Sequence, residues 1–106
     1  MIPRDLTPAE TAALLGRGAV LIDIREKDEL GAGVIPGAAH LPLSRLEAMP
    51  LPAAAGQTVV FHCRSGRRTA QNAAALGAKA AGCEAYLLGG GIDGWRAAGL
   101  PVAEGA

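Results

Sequence analysis

The stretch Thr58-Val59-Val60-Phe61-His62-Cys63-Arg64-Ser65-Gly66-Arg67-Arg68-Thr69-Ala70 decides the fold of this chain. Its first part is a short apolar run, which is typical of a buried strand. The polar residues after Cys63 include a glycine and indicate a tight loop, and the alanine-rich sequence beyond them favours a helix. The stretch therefore predicts a strand, a loop and a helix N-terminus, with Cys63 where the strand ends.

The loop after Cys63 has the composition of an anion site. Arg64, Arg67 and Arg68 place three positive charges within the six residues that begin at Cys63. Inward-facing backbone N–H groups and the start of a helix add partial positive charge. Such surroundings stabilise a thiolate, which is the nucleophilic form of cysteine. We therefore expect Cys63 to be a nucleophile that acts on a small anionic substrate.

Strand and helix patterns alternate along the rest of the chain. Apolar runs predict strands at residues 19–24, 39–41 and 85–88. Capping boxes predict helices that begin at Thr7 and at Ser44, and further helices are predicted at about 68–80 and at 92–98 around Trp95, before a tail from Pro101. This alternation predicts an α/β fold with a mainly parallel central sheet and helices on both faces.

The predicted architecture also places the candidate site. Ligands bind open parallel sheets beyond the carboxyl ends of the strands, where Cys63 lies. Asp23 and Arg25 end their own strand at the same edge, so we expect them to support the site. His62 should point to the opposite face of the sheet from Cys63, which favours a packing role over one in tuning the thiol. Cys83 should lie at the opposite edge, too far away for a disulfide.

Length and composition restrict the class of protein. The 106 residues suffice for one domain over the whole chain, and a net charge of zero argues against a nucleic-acid partner. No apolar run approaches the roughly 20 residues that span a bilayer. Two cysteines are too few for a disulfide framework. We therefore expect a protein of the reducing cytoplasm with no membrane segment in this chain.

Four segments, in order and almost end to end, resemble the rhodanese family of sulfurtransferases. They are Leu21–Arg25, Gly33–Ala38, the loop Cys63–Arg68, and Gly90–Trp95 followed by Ala98–Val102. Val34 stands where the family usually has histidine. The pattern is most similar to bacterial rhodanese domains that C-terminal helices tether to the inner membrane. This sequence contains no such helices, so the expectation is a stand-alone form or a soluble piece of a longer, tethered protein.

The resemblance implies a sulfurtransferase that works through a Cys63 persulfide. The sulfur donor would be thiosulfate or another small anionic donor, and the acceptor would be cyanide or a thiol. The resemblance implies no metal and no organic cofactor. The substrate-binding residues would be those of the loop, with Arg64 and Arg67 attracting the donor and Arg68 bracing the backbone: Arg64, Ser65, Gly66, Arg67, Arg68 and Thr69.

Two alternatives remain open. A partner module that carries a persulfide or senses redox state without turnover needs the same reactive loop. A cysteine-dependent phosphatase or arsenate reductase also uses a similar loop, but its pattern is Cys-x5-Arg. Here Arg68 gives Cys-x4-Arg, and Thr69 occupies the next position. The shorter loop favours sulfur over a tetrahedral phosphate.

Overall fold

A computed structural model describes residues 2–105 of the chain. Five strands form one sheet in the order β1-β5-β4-β2-β3, and every strand pair in it is parallel. The strands are β1 (Arg4–Leu6), β2 (Val20–Asp23), β3 (Ala39–His40), β4 (Thr58–His62) and β5 (Glu84–Leu88). The helices are α1 (Pro8–Leu15), α2 (Arg67–Gln71), α3 (Ala73–Lys79) and α4 (Gly91–Ala97). The predicted α/β class with a parallel central sheet is confirmed.

The central strand β4 separates two apolar cores because its side chains alternate between the faces of the sheet. Val59 and Phe61 pack on one side in a cluster that includes Leu76 of α3. Val60 packs on the other side in a cluster that includes Ile92 and residues of α1. Each fully buried side chain of this kind contributes about 1.5–3 kcal/mol. Helices therefore cover both faces, as predicted.

Helix α1 begins as the sequence predicts, whereas the one or two helical turns predicted to begin at a Ser44 cap are replaced by a single 3-10 turn. Thr7 and Glu10 make both hydrogen bonds of a capping box before α1. Ser44 instead lies inside a short 3-10 turn, Leu43–Arg45, which Pro42 precedes. The Ser44 hydroxyl donates to the Glu26 carboxylate at 2.5 Å, so it does not cap a helix.

The helix predicted over residues 68–80 is divided at Asn72. This residue has φ −112° and ψ 17°, and it separates α2 from α3. The side-chain amide of Asn72 donates to the Arg68 carbonyl at 2.8 Å, the same carbonyl that accepts from the Asn72 backbone N–H at 3.0 Å. The predicted single helix is therefore two short helices.

Both ends of the described chain are more ordered than the sequence indicates. Strand β1, which pairs with β5 at the edge of the sheet, has no counterpart among the predicted strands. The predicted tail forms an antiparallel bridge between Val34 and Ala103, with N–O distances of 2.9 and 2.8 Å. Trp95 is 4% exposed and donates to the Pro101 carbonyl. Among residues 2–105, no helix has the length and apolar character needed to cross a membrane.

Candidate active site

Cys63 lies directly after β4, in the middle of the sheet at its carboxyl edge. The chain then turns through three residues and enters α2 at Arg67. Gly66 allows this turn because its φ is +89°, and a Cβ there would lie 2.9 Å from the Gly90 nitrogen. Cys63 has no exposed surface. A reactant must therefore reach its sulfur through the loop that surrounds it.

The sulfur of Cys63 is held by two groups from its own loop. The Gly66 N–H donates to Sγ at 3.2 Å, and the Thr69 hydroxyl lies 3.7 Å from Sγ. The same hydroxyl donates its proton to the Gly66 carbonyl at 3.1 Å. The protonated thiol is therefore the donor toward Thr69, and the Gly66 N–H is available to the thiolate.

The loop also presents backbone N–H groups that no protein atom uses. Within the described chain, the N–H groups of five loop residues have no acceptor: Arg64, Ser65, Arg67, Arg68 and Thr69. The carbonyl groups that share peptide groups with the Arg64 and Ser65 N–H groups are bonded to the start of α4. The Cys63 carbonyl accepts from the Ile92 N–H at 2.9 Å, and the Arg64 carbonyl accepts from the Asp93 N–H at 3.0 Å. This arrangement is an open nest of donors for an anion.

The three loop arginines have different surroundings. Arg64 is 74% exposed and lies 3.7 Å from the Asp93 carboxylate. Arg67 is also exposed, and among the described residues its guanidinium has no ion-pair partner. Arg68 forms a two-pronged ion pair with Glu29, at 2.8 and 2.6 Å. Arg64 and Arg67 can therefore meet an anion, whereas Arg68 braces the loop.

Glu29 is the site residue that the sequence analysis missed. It lies in the 3-10 segment Lys27–Ala32 that follows β2. Hydrogen bonding to Arg68 lowers the pKa of Glu29 to about 2, so its carboxylate stays charged. The run of acidic and basic residues around it offers no signal that distinguishes Glu29 from Glu26 or Asp28.

Asp23 and Arg25 lie at the carboxyl edge of the sheet, where the sequence places them. They form a buried ion pair with an Nη2–Oδ2 distance of 2.8 Å. Arg25 also donates to the Gly33 carbonyl at 2.8 Å and thereby anchors the segment that contains Glu29. Burial raises the pKa of Asp23, but the hydrogen bonds from Arg25 outweigh it and hold that pKa below its usual value. The pair supports the segments around Cys63 without contacting its sulfur.

His62 points to the opposite face of the sheet from Cys63 and is fully buried. Its Nδ1 lies 3.1 Å from the Cys63 carbonyl oxygen, and its Nε2 lies 3.5 Å from Asp23 Oδ2. Cys83 precedes β5 at the other edge of the sheet, and both cysteines are free. Within residues 2–105, no three His, Cys, Asp or Glu side chains are grouped as a metal site.

Comparison with known proteins identifies the family of this fold and loop. Residues 7–98 match the rhodanese-like domain. The chain is 33% identical over 94 residues to the thiosulfate sulfurtransferase GlpE of Ectopseudomonas mendocina, covering 89% of this chain and 85% of that protein. A crystal structure of a rhodanese-related protein from Thermoplasma volcanium superposes with a TM-score of 0.82 at 25% identity, covering 94% of this chain and 97% of the other.

A further relative is a longer protein. The chain is 37% identical over 106 residues to the HTH-type transcriptional regulator Rv0324 of Mycobacterium tuberculosis, covering 98% of this chain and 47% of that protein. The chain is also 40% identical over 86 residues to the uncharacterized protein slr1261 of Synechocystis, covering 80% of this chain and 47% of that protein. The chain thus spans about half the length of these two relatives. On the match over residues 7–98, it belongs to the rhodanese-like family.

Proposed function

We propose that this chain is a sulfurtransferase that moves the outer sulfur of thiosulfate, or of a similar small anionic donor, to cyanide or a thiol. The observation that supports it most directly is the Gly66 N–H that donates to Cys63 Sγ at 3.2 Å inside a loop of otherwise unused N–H groups. The family and the GlpE relative, which is named a thiosulfate sulfurtransferase, support the same activity. A reducing cytoplasm would keep Cys63 available as a thiol.

The first half of the reaction loads sulfur onto the protein. The Cys63 thiolate attacks the outer sulfur of thiosulfate and forms a new S–S bond. The S–S bond of thiosulfate breaks, and sulfite leaves with the electron pair. Exposed Arg64 and Arg67 would attract the doubly charged donor. The N–H groups of the loop would then hold the terminal sulfur of the Cys63 persulfide.

The second half of the reaction returns the protein to its starting state. Cyanide attacks the terminal sulfur and leaves as thiocyanate, or a thiolate attacks it and leaves as a persulfide. The S–S bond to Cys63 breaks, and its electron pair regenerates the Cys63 thiolate. Every sulfur and electron is accounted for without a metal or an external oxidant. The Gly66 N–H can stabilise this thiolate through the hydrogen bond that it donates to Sγ.

The two rival functions differ in what they require of the loop. A phosphatase needs a guanidinium at the end of the loop to hold the phosphate. Here Arg68 is engaged by Glu29 at 2.8 and 2.6 Å, which argues against that function. A persulfide carrier needs only the loading step. It differs from an enzyme because it does not return to the thiolate over many cycles in the presence of thiosulfate and cyanide.

The decisive experiment is the intact mass of the reduced protein after exposure to thiosulfate. We expect a gain of about 32 Da, which is one sulfur atom, and the loss of that gain on addition of cyanide. Cys63→Ser should gain nothing, and Cys83→Ser should behave as the natural chain does. A folded, reduced protein that gains no sulfur would contradict the proposal. Steady-state thiocyanate release then separates an enzyme from a carrier.

A further inference from the structure

One buried group near Cys63 has no role in the reaction described above. His62 is 0% exposed, and its ring lies between two polar groups of the site. Its Nδ1 is 3.1 Å from the Cys63 carbonyl oxygen. Because that oxygen can only accept, Nδ1 carries the proton. His62 is thus the side chain that donates to the peptide group immediately after the nucleophile.

The direction of that carbonyl determines where the loop N–H groups point. The C=O of Cys63 and the N–H of Arg64 belong to one planar, trans peptide group, so they point in opposite directions. His62 and the Ile92 N–H hold the oxygen toward α4, on the face of the sheet away from the Cys63 side chain. The Arg64 N–H is therefore turned toward the side of the sulfur.

The other ring nitrogen links His62 to the buried ion pair. Nε2 is buried without a hydrogen bond, and the nearest charged atom is Asp23 Oδ2 at 3.5 Å. Arg25 holds that carboxylate through its Nε and Nη2 atoms. Asp23 and Arg25, both from the end of β2, are the charged groups that act on the ring. Burial keeps the pKa of His62 below its usual value, although Asp23 partly offsets it, so the ring is neutral at neutral pH.

We propose that His62 is a positioning residue for sulfur transfer, because its bond to the Cys63 carbonyl, together with that of the Ile92 N–H, turns the Arg64 N–H toward the side of the sulfur. This inference deepens the proposed function and rests on it for the identity of the bound sulfur. His62 touches neither the donor nor Sγ. It acts through one peptide group, together with the first turn of α4.

Two substitutions test the roles of the two nitrogens of the His62 ring separately. In His62→Asn the amide nitrogen can take the place of Nδ1 and donate to the Cys63 carbonyl. In His62→Gln the amide reaches further, to the place of Nε2 beside Asp23. Val60→Ala is the matched control, since Val60 is buried on the same face of β4 and packs in the apolar cluster of that face. All variants are made with Cys83→Ser, so that one thiol remains.

The first readout is the pH dependence of Cys63 alkylation by iodoacetamide, which does not depend on sulfur transfer. In His62→Gln the bond to the Cys63 carbonyl is lost, so the Arg64 N–H is no longer held toward the sulfur. The half-maximal pH of alkylation should then rise by about one unit, and in His62→Asn it should rise by much less. Loading from thiosulfate should slow about tenfold in His62→Gln only. Equal behaviour of the two variants, or the same shift in Val60→Ala, would overturn the inference.

A measurement on the natural chain covers the case in which the variants do not fold. Long-range ¹H–¹⁵N spectra report which imidazole nitrogen carries the proton. A proton on Nδ1 at neutral pH is expected, and a proton on Nε2 alone would overturn the inference. The experiments can refute the sulfurtransferase function and the positioning role of His62 separately. A natural chain that takes no sulfur refutes the sulfurtransferase, whereas the expected alkylation profiles of the variants would still support the role of His62 in orienting the loop.

Discussion

The two cysteines of this chain lie at opposite edges of the same parallel sheet, and their surroundings are opposite in polarity. Cys63 follows a strand and precedes a helix, so it receives an N–H bond from Gly66. Cys83 follows α3 and precedes β5, and its thiol donates to the Ala54 carbonyl at 3.4 Å. A cavity of about 740 Å³ adjoins it, lined mainly by alanine, glycine and apolar side chains.

The difference follows from the direction of the strands. At the carboxyl edge of a parallel sheet, strands lead into helix N-termini, which offer free N–H groups. At the amino edge the chain returns through loops, and here the loop residue Ala54 offers the carbonyl that the Cys83 thiol contacts. The first edge therefore offers hydrogen-bond donors to a sulfur atom, and the second offers an acceptor. The same side chain can therefore be a nucleophile in one place and an inert residue in the other.

Exchange of each cysteine tests this contrast with the largest expected effect. If the proposed function holds, Cys63→Ser should lower thiocyanate formation from thiosulfate and cyanide by at least about 1,000-fold, because the attacking sulfur is gone. Cys83→Ser should stay within about twofold of the natural chain. Initial rates of the two purified variants provide the measurement. Substantial loss of rate in Cys83→Ser would mean that the second edge also takes part.

Glycines at the two edges test the packing behind the contrast. Gly91 has φ +59°, and a Cβ there would lie 2.5 Å from the carbonyl oxygens of Cys63 and Arg64. Gly91→Ala should therefore displace the loop and lower the free energy of unfolding by about 3 kcal/mol or more. Gly82 has φ +90° but free space around it, so Gly82→Ala should cost only about 1–2 kcal/mol. Urea unfolding measures both, and equal losses would contradict the close contact.

The carboxyl edge could be predicted from the sequence because its main features are local. A strand, a cysteine, a glycine turn and a helix follow one another within residues 58–71, so their order along the chain fixes their order in space. The positions of Asp23 and Arg25 follow from the parallel sheet alone. The opposite placement of Cys83 follows from the same rule.

The parts that were missed depend on contacts between distant residues or on local competition. Arg68 and Glu29 are 39 residues apart, and several nearby acidic residues could have made the same pair. The bridge between Val34 and Ala103 joins residues that are even further apart in the sequence. The division of the long helix at Asn72 depends on whether one amide bonds to its own backbone, which helix propensity does not decide.

Neutralising Arg67 tests whether charge at the carboxyl edge recruits the donor. If the proposed function holds, Arg67→Gln should raise the KM for thiosulfate about fivefold and leave kcat unchanged, since an exposed charge near an anion contributes about 1 kcal/mol. Added salt should reduce the difference in KM between Arg67→Gln and the natural chain, because it screens the charge of Arg67. Arg17→Gln is the control, because Arg17 is exposed just before β2, at the amino edge. An equal change in KM for both variants would mean that net charge, not position, attracts the donor.

Glu29→Gln tests the brace behind the loop, with the smallest expected effect. The folded-state pKa of Glu29 is about 2, against 4.5 for the free side chain. A carboxyl group with a lowered pKa stabilises the fold fully above about 4.5, and the contribution is lost as the pH falls toward 2. Both side chains of the pair are about one-third exposed, so we expect about 1 kcal/mol at pH 7.

The pH dependence distinguishes this brace from ordinary surface charge. Urea unfolding of the natural chain and of Glu29→Gln should differ most at pH 7, and the difference should shrink when both are measured at pH 3. Glu84→Gln, at the amino edge, is the matched control because Glu84 is exposed and its carboxylate accepts from a hydroxyl, that of Tyr86, instead of pairing with a guanidinium. A difference that stays constant between pH 7 and pH 3 would show that the charge of Glu29 is not what stabilises the loop, and that its packing is.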